Sequence, residues 1–216
     1  FISKVICLKA VGEYEKALFE YENKCPKEYK PNTELAYQIA LIQYKLQNYD
    51  QALQSNSIAL EFCTDTFCKP KIILLNGLLY ANKYDWQNSM LSYKSLSVFD
   101  SYKQISNTNF QLSEKAIRLE NKSPPLAGAL SIIPGLGYAY TGHKQTAISA
   151  LLVNGLLAYA TYTNFKNENY GMGILTGVFN LSFYIGNIYG ATKSAKRFNE
   201  QQKKSIINKL EFNSHF

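Results

Sequence analysis

Few residues in this chain have reactive chemistry: four cysteines, two histidines and one glycine-rich turn. Cys7, Cys25, Cys63 and Cys68 all fall in the first third of the 216 residues. An even count confined to one region fits disulfides in an oxidising compartment, and Cys63 and Cys68 are close enough in sequence to pair across a helix end. Free thiols buried as small apolar groups would give the same pattern. A zinc site needs ligands at usable spacing, and His143 and His215 lie far away in sequence, so no metal is expected. Gly135-Leu136-Gly137 lacks the third glycine of a dinucleotide loop, follows no strand and leads to no acidic ribose ligand. There is no Gly-x-Ser-x-Gly elbow and no phosphate loop. The expectation is therefore a non-enzyme with no cofactor and no small-molecule substrate.

The elements that carry these residues divide the chain in two. Residues 124–191 contain only three charges, Lys144, Lys166 and Glu168, and all three sit in connectors. Between the connectors, the runs 146–163 and 170–191 are each long enough to cross a hydrocarbon slab as a helix. A third run, 126–140, is shorter and broken by Pro134, which leaves a tilted span, a half-helix or a re-entrant turn open. Upstream the composition is polar and rich in Tyr, Lys, Asn and Gln, and Ser123-Pro124-Pro125 marks the change. Net charge is +7. In the tail, Lys193, Lys196, Arg197, Lys203, Lys204 and Lys209 stand against Glu200 and Glu211, a net of +4. A basic cluster straight after a span is the positive-inside signature and suits anionic lipid. Nucleic acid is not an expected partner, because the polar half is nearly balanced in charge.

The polar half contains an internal repeat. Tyr14 with Ala17 and Tyr21 recurs as Tyr49 with Ala52, and less closely as Trp86 with Ser89 and Tyr93. Helices are expected before each anchor, over 2–11, 34–46 and 72–82, and after each, over 15–23, 50–62 and 87–97. Small residues at Ala40, Ala52 and Ala59 let paired helices approach closely. A further amphipathic helix over 109–121, with Phe110, Leu112, Ala116, Ile117 and Leu119 on or near its buried side, would cap the array. The stretches GEYEKALFEY and QNYDQALQSNSIAL resemble the second helix of the tetratricopeptide repeat, while KYDWQNSMLSY departs by placing Ser89 where Ala is usual. The resemblance covers about residues 1–100. It implies a groove lined by the first helices that holds an extended peptide or a partner helix. Carried over by position, that groove presents Tyr37, Leu41, Tyr44 and Lys45, then Lys71, Leu74, Leu78 and Asn82. Such a surface suits apolar anchors and a carboxylate. Leu41, Leu74 and Leu78 could equally be core between repeats.

In the apolar half, Pro134, Gly135, Gly137, Tyr140 and Gly142 form a Pro-Gly-x-Gly-x-x-Tyr-x-Gly turn similar to that of the TM2 domain, a small bacterial membrane module. Gly173 and Gly177, and Gly186 and Gly190, are four apart, the spacing that lets helices pack backbone to backbone in lipid. Asn154, Asn180 and Asn187 are amides within apolar runs and should face one another or another subunit. No Asp, Glu, Lys or Arg falls within a span, so packing is a better account of these amides than a transport path.

The expected fold is all-α: a tetratricopeptide-like solenoid of about three helix pairs plus a capping helix over 1–122, a membrane helical hairpin module over 123–192, and a basic tail over 193–216. The expected function is a membrane-anchored adaptor or scaffold that binds a protein partner in a bacterial envelope assembly, secretion or membrane-insertion complex. The alternative is a small integral subunit of an insertase or channel, with the repeats regulatory. The expected location is the bacterial inner membrane. With the tail facing the cytoplasm, three crossings would put the repeats in the periplasm, as the absent initiator Met (suggesting a removed signal peptide) and the cysteines would favour, whereas two crossings with a re-entrant turn would put them in the cytoplasm, as the shortness of 126–140 would favour.

Overall fold

The computed structural model describes residues 1–214; His215 and the last residue of the expected tail lie outside the described residues. Every regular element among the described residues is helical. In chain order these are α1 (Ile2–Ala10), α2 (Tyr14–Lys24), α3 (Thr33–Lys45), α4 (Tyr49–Phe62), α5 (Cys68–Asn82), α6 (Trp86–Ser95) and α7 (Lys103–Ile117). There follow α8 (Pro124–Leu130), α9 (Leu136–Tyr140), α10 (Lys144–Lys166) and α11 (Tyr170–Ser214). The chain forms two compact units: Phe1–Leu119 together with the chain from Lys203 on, and Glu120–Gln202. The helix α11 therefore contributes to both.

In the first unit the helices pack on their neighbours in the chain, α1 on α2, α3 on α4, α5 on α6 and α6 on α7. Three of the turns that join them are the same turn. Gly12, Gln47 and Tyr84 all have positive φ, at 80°, 62° and 61°, two residues before Tyr14, Tyr49 and Trp86. In each, the next amide reaches back five residues, Glu13 N to Leu8 O (2.9 Å), Asn48 N to Gln43 O (2.8 Å) and Asp85 N to Tyr80 O (2.9 Å). This closes the last carbonyls of one helix and launches the next. The aromatic anchors of the sequence repeat are thus the first residues of α2, α4 and α6. Side-chain caps reinforce two starts, Asn32 accepting from Leu35 N at 2.9 Å and Asp85 from Asn88 N at 3.2 Å.

Ser89, which departs from the repeat pattern, has a partner for its hydroxyl. It is fully buried, donates to Gly77 O at 2.8 Å and pairs with Ser113 Oγ at 3.0 Å. Ser106 Oγ donates to Tyr93 O at 2.7 Å across the same contact. The capping helix α7 therefore turns Ser106, Asn109, Ser113 and Ala116 inward. Phe110, Leu112 and Leu119 flank that face, and Ile117 is exposed, unlike the expected arrangement. It also starts earlier, at Lys103, and ends at Ile117.

The second unit is built on the broken run. Ser123 caps α8 by accepting from Leu126 N at 3.4 Å, and prolines occupy the first turn, where no amide hydrogen is needed. At 1.5 Å per residue α8 and α9 are roughly 10 Å and 8 Å long, so neither crosses a core of about 30 Å. The break between them frees backbone carbonyls that need partners. Tyr184 OH donates to Ile132 O at 3.0 Å and Asn187 Nδ2 to Ser131 O at 3.4 Å, both from α11. The end of α9 is fastened by Thr141 Oγ1, which pairs with Ser194 Oγ at 2.8 Å; Ser194 Oγ in turn meets His143 Nδ1 at 2.9 Å.

Among the described residues one helix, α10, is long and apolar enough to cross a membrane, and only 11% of its apolar stretch is buried. Leu151, Leu156, Tyr159 and Tyr162 stand more than half exposed along it. The run 170–191 of α11 carries Asn180 and Asn187 and falls short by the same measure. Its Ile174, Val178, Leu181 and Phe183 are also more than half exposed. Apolar surface this continuous on a protein marks an interaction with lipid or another apolar body.

Candidate functional site: a repeat groove and a membrane module

The groove residues expected from the repeat pattern fall into two groups. Leu41, Tyr44, Leu74 and Leu78 are buried in one core with Trp86, Tyr93 and Ala116. Ile206, Ile207 and Leu210, from the C-terminal end of α11, lie in that same core. The chain's own helix thus covers the middle of the face that a partner was expected to use. Asn213 Nδ2 donates to Asn109 Oδ1 at 2.8 Å, Lys203 Nζ sits 4.6 Å from the Tyr84 ring centroid, and Lys45 faces Glu211 at 3.9 Å. Burial, with the Glu211 carboxylate adding to it, pushes the Tyr44 hydroxyl well above the ordinary tyrosine range. The phenol therefore stays neutral. Asn82 is half-buried and donates to Leu78 O at 2.9 Å.

The spacing of Ile206, Ile207 and Leu210 at i, i+1 and i+4 is a helical apolar face, and it is the signal in the sequence for this contact. Six basic residues in the tail draw the reading toward a solvated basic segment instead.

The second group, Tyr37 and Lys71, stays outside the covered stretch. They line a pocket of about 250 Å³ with Glu34, Gln38 and Phe67. Gln38 donates through Nε2 to Glu34 Oε1 at 2.7 Å, and its own Oε1 is buried without a hydrogen-bond partner. Burial, helped by Glu34, raises the Tyr37 hydroxyl above its usual range. Lys71 is exposed, and Phe67 stands 83% exposed at the rim. A disulfide, Cys63–Cys68, ties the two ends of the rim loop between α4 and α5, while Cys7 and Cys25 are free. Constraining so short a loop is worth about 2 kcal/mol in the chain-entropy picture. Reduction is expected to lower the stability of the repeat unit by that amount without unfolding it, read as a drop in its denaturant midpoint, with hydrogen exchange rising first in residues 63–68.

The membrane-packing residues fall at several different contacts. Pro134 and Gly135 form the break between α8 and α9, with Gly135 at φ 89°. Side chains at Gly137 and Gly190 would overlap Ser131 and Tyr138, respectively. A Cβ at Gly173 would lie 3.1 Å from the Phe165 ring, and one at Gly177 3.5 Å from Thr161 Cγ2, so both pack α11 on α10. Gly186 faces open space. The three amides do not bond one another. Asn154 Nδ2 donates to Ala150 O at 2.8 Å within its own helix, Asn187 serves the Ser131 carbonyl, and Asn180 is half-buried. Backbone carbonyls freed by a helix break, or one turn back, compete for these donors within reach of a short side chain.

Among the described residues no group of His, Cys, Asp and Glu is arranged to hold a metal ion. No family model, curated protein or solved structure matches the chain.

Proposed function

We propose that the chain is a membrane-anchored helical-repeat adaptor of the tetratricopeptide kind, which holds a protein partner in a bacterial envelope assembly, secretion or insertion complex. The observation that carries this reading is the helix seated on the repeats. A face that accepts Ile206, Ile207 and Leu210 of its own chain has the shape and apolarity to accept amphipathic helices. Beside it, the Tyr37–Lys71 pocket offers an aromatic wall and a cation next to the Glu34 and Asp65 carboxylates, which suit a peptide carrying an apolar side chain flanked by charges of both signs. Anchoring raises the effective concentration of such a groove for partners at the same membrane.

In this reading α10 and the 170–191 part of α11 cross the bilayer as a hairpin, and 126–140 dips in without crossing. Two crossings return the chain to the side it left, which agrees with residues 203–214 sharing a core with the repeats. The tail and the repeats then face one compartment together, rather than opposite sides as the charge and cysteine arguments taken separately suggested. The Cys63–Cys68 disulfide favours the oxidising, periplasmic face.

Site-specific photo-crosslinking from position 67 in intact cells tests the adaptor reading. The expected result is a discrete protein adduct that Tyr37→Ala and Lys71→Glu each reduce about tenfold, the loss of an interface anchor. An absence of adducts, or adducts indifferent to both substitutions, would contradict it.

A further inference from the structure

The second unit contains a cleft of about 420 Å³ between α10 and α11. Small side chains, Ser149 and Ala150 on one helix and Ser182 and Gly186 on the other, line it beside the larger Tyr138, Val153 and Phe183, and a Cβ at Gly186 would meet no atom within 4 Å. Two amides also line it, Asn154 and Asn187, each only 5% exposed. Both spend their donors on backbone carbonyls, as described above. Both Oδ1 atoms are buried with no hydrogen-bond partner. Two orphan acceptors in one apolar cleft call for donors from outside the module.

Depth identifies what can bring those donors, on the reading that α10 and the 170–191 part of α11 lie in a bilayer. At 1.5 Å per residue, Asn154 is roughly 15 Å along α10 from Lys144 and roughly 18 Å from Lys166. That is the middle of a hydrocarbon core about 30 Å thick. Headgroups, which carry the donors of ordinary lipids, stay at the two surfaces. A donor at mid-depth belongs to a side chain of another transmembrane helix. Of the three amides in these apolar runs, one is free to donate: Asn180, which makes no side-chain hydrogen bond among the described residues. Measured from the same hairpin end, it lies roughly 15 Å from Tyr170, within a turn of the depth of Asn154. It also shares an i, i+3, i+7 stripe of α11 with Phe183 and Asn187, two residues of the cleft lining.

We propose that the cleft docks a second copy of this chain. The two modules meet about a two-fold axis along the membrane normal, so the same surface serves both copies. Asn180 of each copy donates to Asn154 Oδ1 of the other, and the small residues at 149, 150, 182 and 186 let the backbones approach.

Sedimentation equilibrium of the full chain in detergent micelles, with the detergent density-matched, tests this. The expected result is a reversible dimer. Gly186→Leu, whose side chain enters open space and fills the cleft, weakens it about tenfold or more, and Asn180→Leu weakens it about threefold to tenfold. Asn154→Leu combined with Asn180→Leu weakens it no more than either alone, with helicity unchanged throughout. A detergent-bound monomer at every protein concentration overturns the dimer, as does a dimer unmoved by both Gly186→Leu and Asn180→Leu. A monomer that retains lipid in native mass spectrometry, released by Gly186→Leu, assigns the cleft to lipid and also overturns it. A chain that stays monodisperse without detergent contradicts the bilayer reading itself.

Discussion

Leu210→Asp is expected to free residues 203–214 from the repeat unit. Leu210 is fully buried in a core with Leu41, Tyr44, Leu74 and Leu78. Ile206, Ile207 and Leu210 together supply about 6 kcal/mol of apolar burial at about 2 kcal/mol each. An unpaired carboxylate placed in that core costs several kcal/mol more, which the helix avoids by leaving. The polar contacts are too weak to hold it: the Lys45–Glu211 pair is long, at 3.9 Å, and partly exposed, and such pairs contribute at most about 1 kcal/mol. Hydrogen exchange should show residues 203–214 losing protection while α1, α2 and the first half of α3 keep theirs. Those helices are held by a separate core of Val5, Ala17, Leu35, Ile39 and Ile42. Leu210→Met, which conserves volume, should change stability by less than about 1.5 kcal/mol. Unchanged protection of 203–214 in Leu210→Asp would mean that the apolar face does not hold this helix.

Gly135→Ala should be a severely damaging single-methyl change in the second unit. Gly135 has φ 89°, a conformation in which a Cβ costs about 1–2 kcal/mol. A Cβ there would also overlap the backbone carbonyl of Ala147, which no side-chain rotation can relieve. The sum should reach about 3 kcal/mol or more, with loss of the α8–α9 break. Gly142 supplies the control. Its φ is 83°, but a Cβ there would meet nothing within 4 Å, so Gly142→Ala should cost only the conformational part, about 1–2 kcal/mol. Thermal midpoints of the two variants in the same detergent separate the clash from the strain. Equal shifts would show that the approach of Ala147 to Gly135 is not tight.

The helix pairs were legible in the sequence because their apolar positions repeat at the helical period and their turns repeat at a fixed distance from Tyr14, Tyr49 and Trp86. The capping helix was legible as a helix, and its facing at Phe110, Leu112, Ala116 and Leu119 but not at Ile117 or along its polar centre. Its inward side is made of Ser106, Asn109, Ser113 and Ala116; the Ser113 hydroxyl pairs with Ser89 and the Ser106 hydroxyl with the Tyr93 carbonyl, and apolar periodicity cannot report a polar seam. Pro134 announced a break, but only the carbonyl partners Tyr184 and Asn187 explain how the chain tolerates it. The positions Leu41, Tyr44, Leu74 and Leu78 were found by pattern, and the leucines are core, the second of the two readings weighed for them. Ile206, Ile207 and Leu210 of the chain's own helix occupy that same core. That occupant was obscured by its charge. Six lysines and arginines lower the mean hydropathy of the tail without lowering the area that its Ile206, Ile207 and Leu210 can bury.

In the proposed anchoring, the repeats and the C-terminal end of α11 face one compartment and the α10–α11 turn faces the other. Single cysteines test this most directly in intact cells with a membrane-impermeant thiol reagent. The native Cys7 is exposed, and Lys204→Cys and Asn167→Cys each place a thiol at an exposed position, the other cysteines being replaced by serine. Cys7 and position 204 are expected to label together, and position 167 only under the opposite condition. Labelling of Cys7 and position 204 from opposite sides would contradict it.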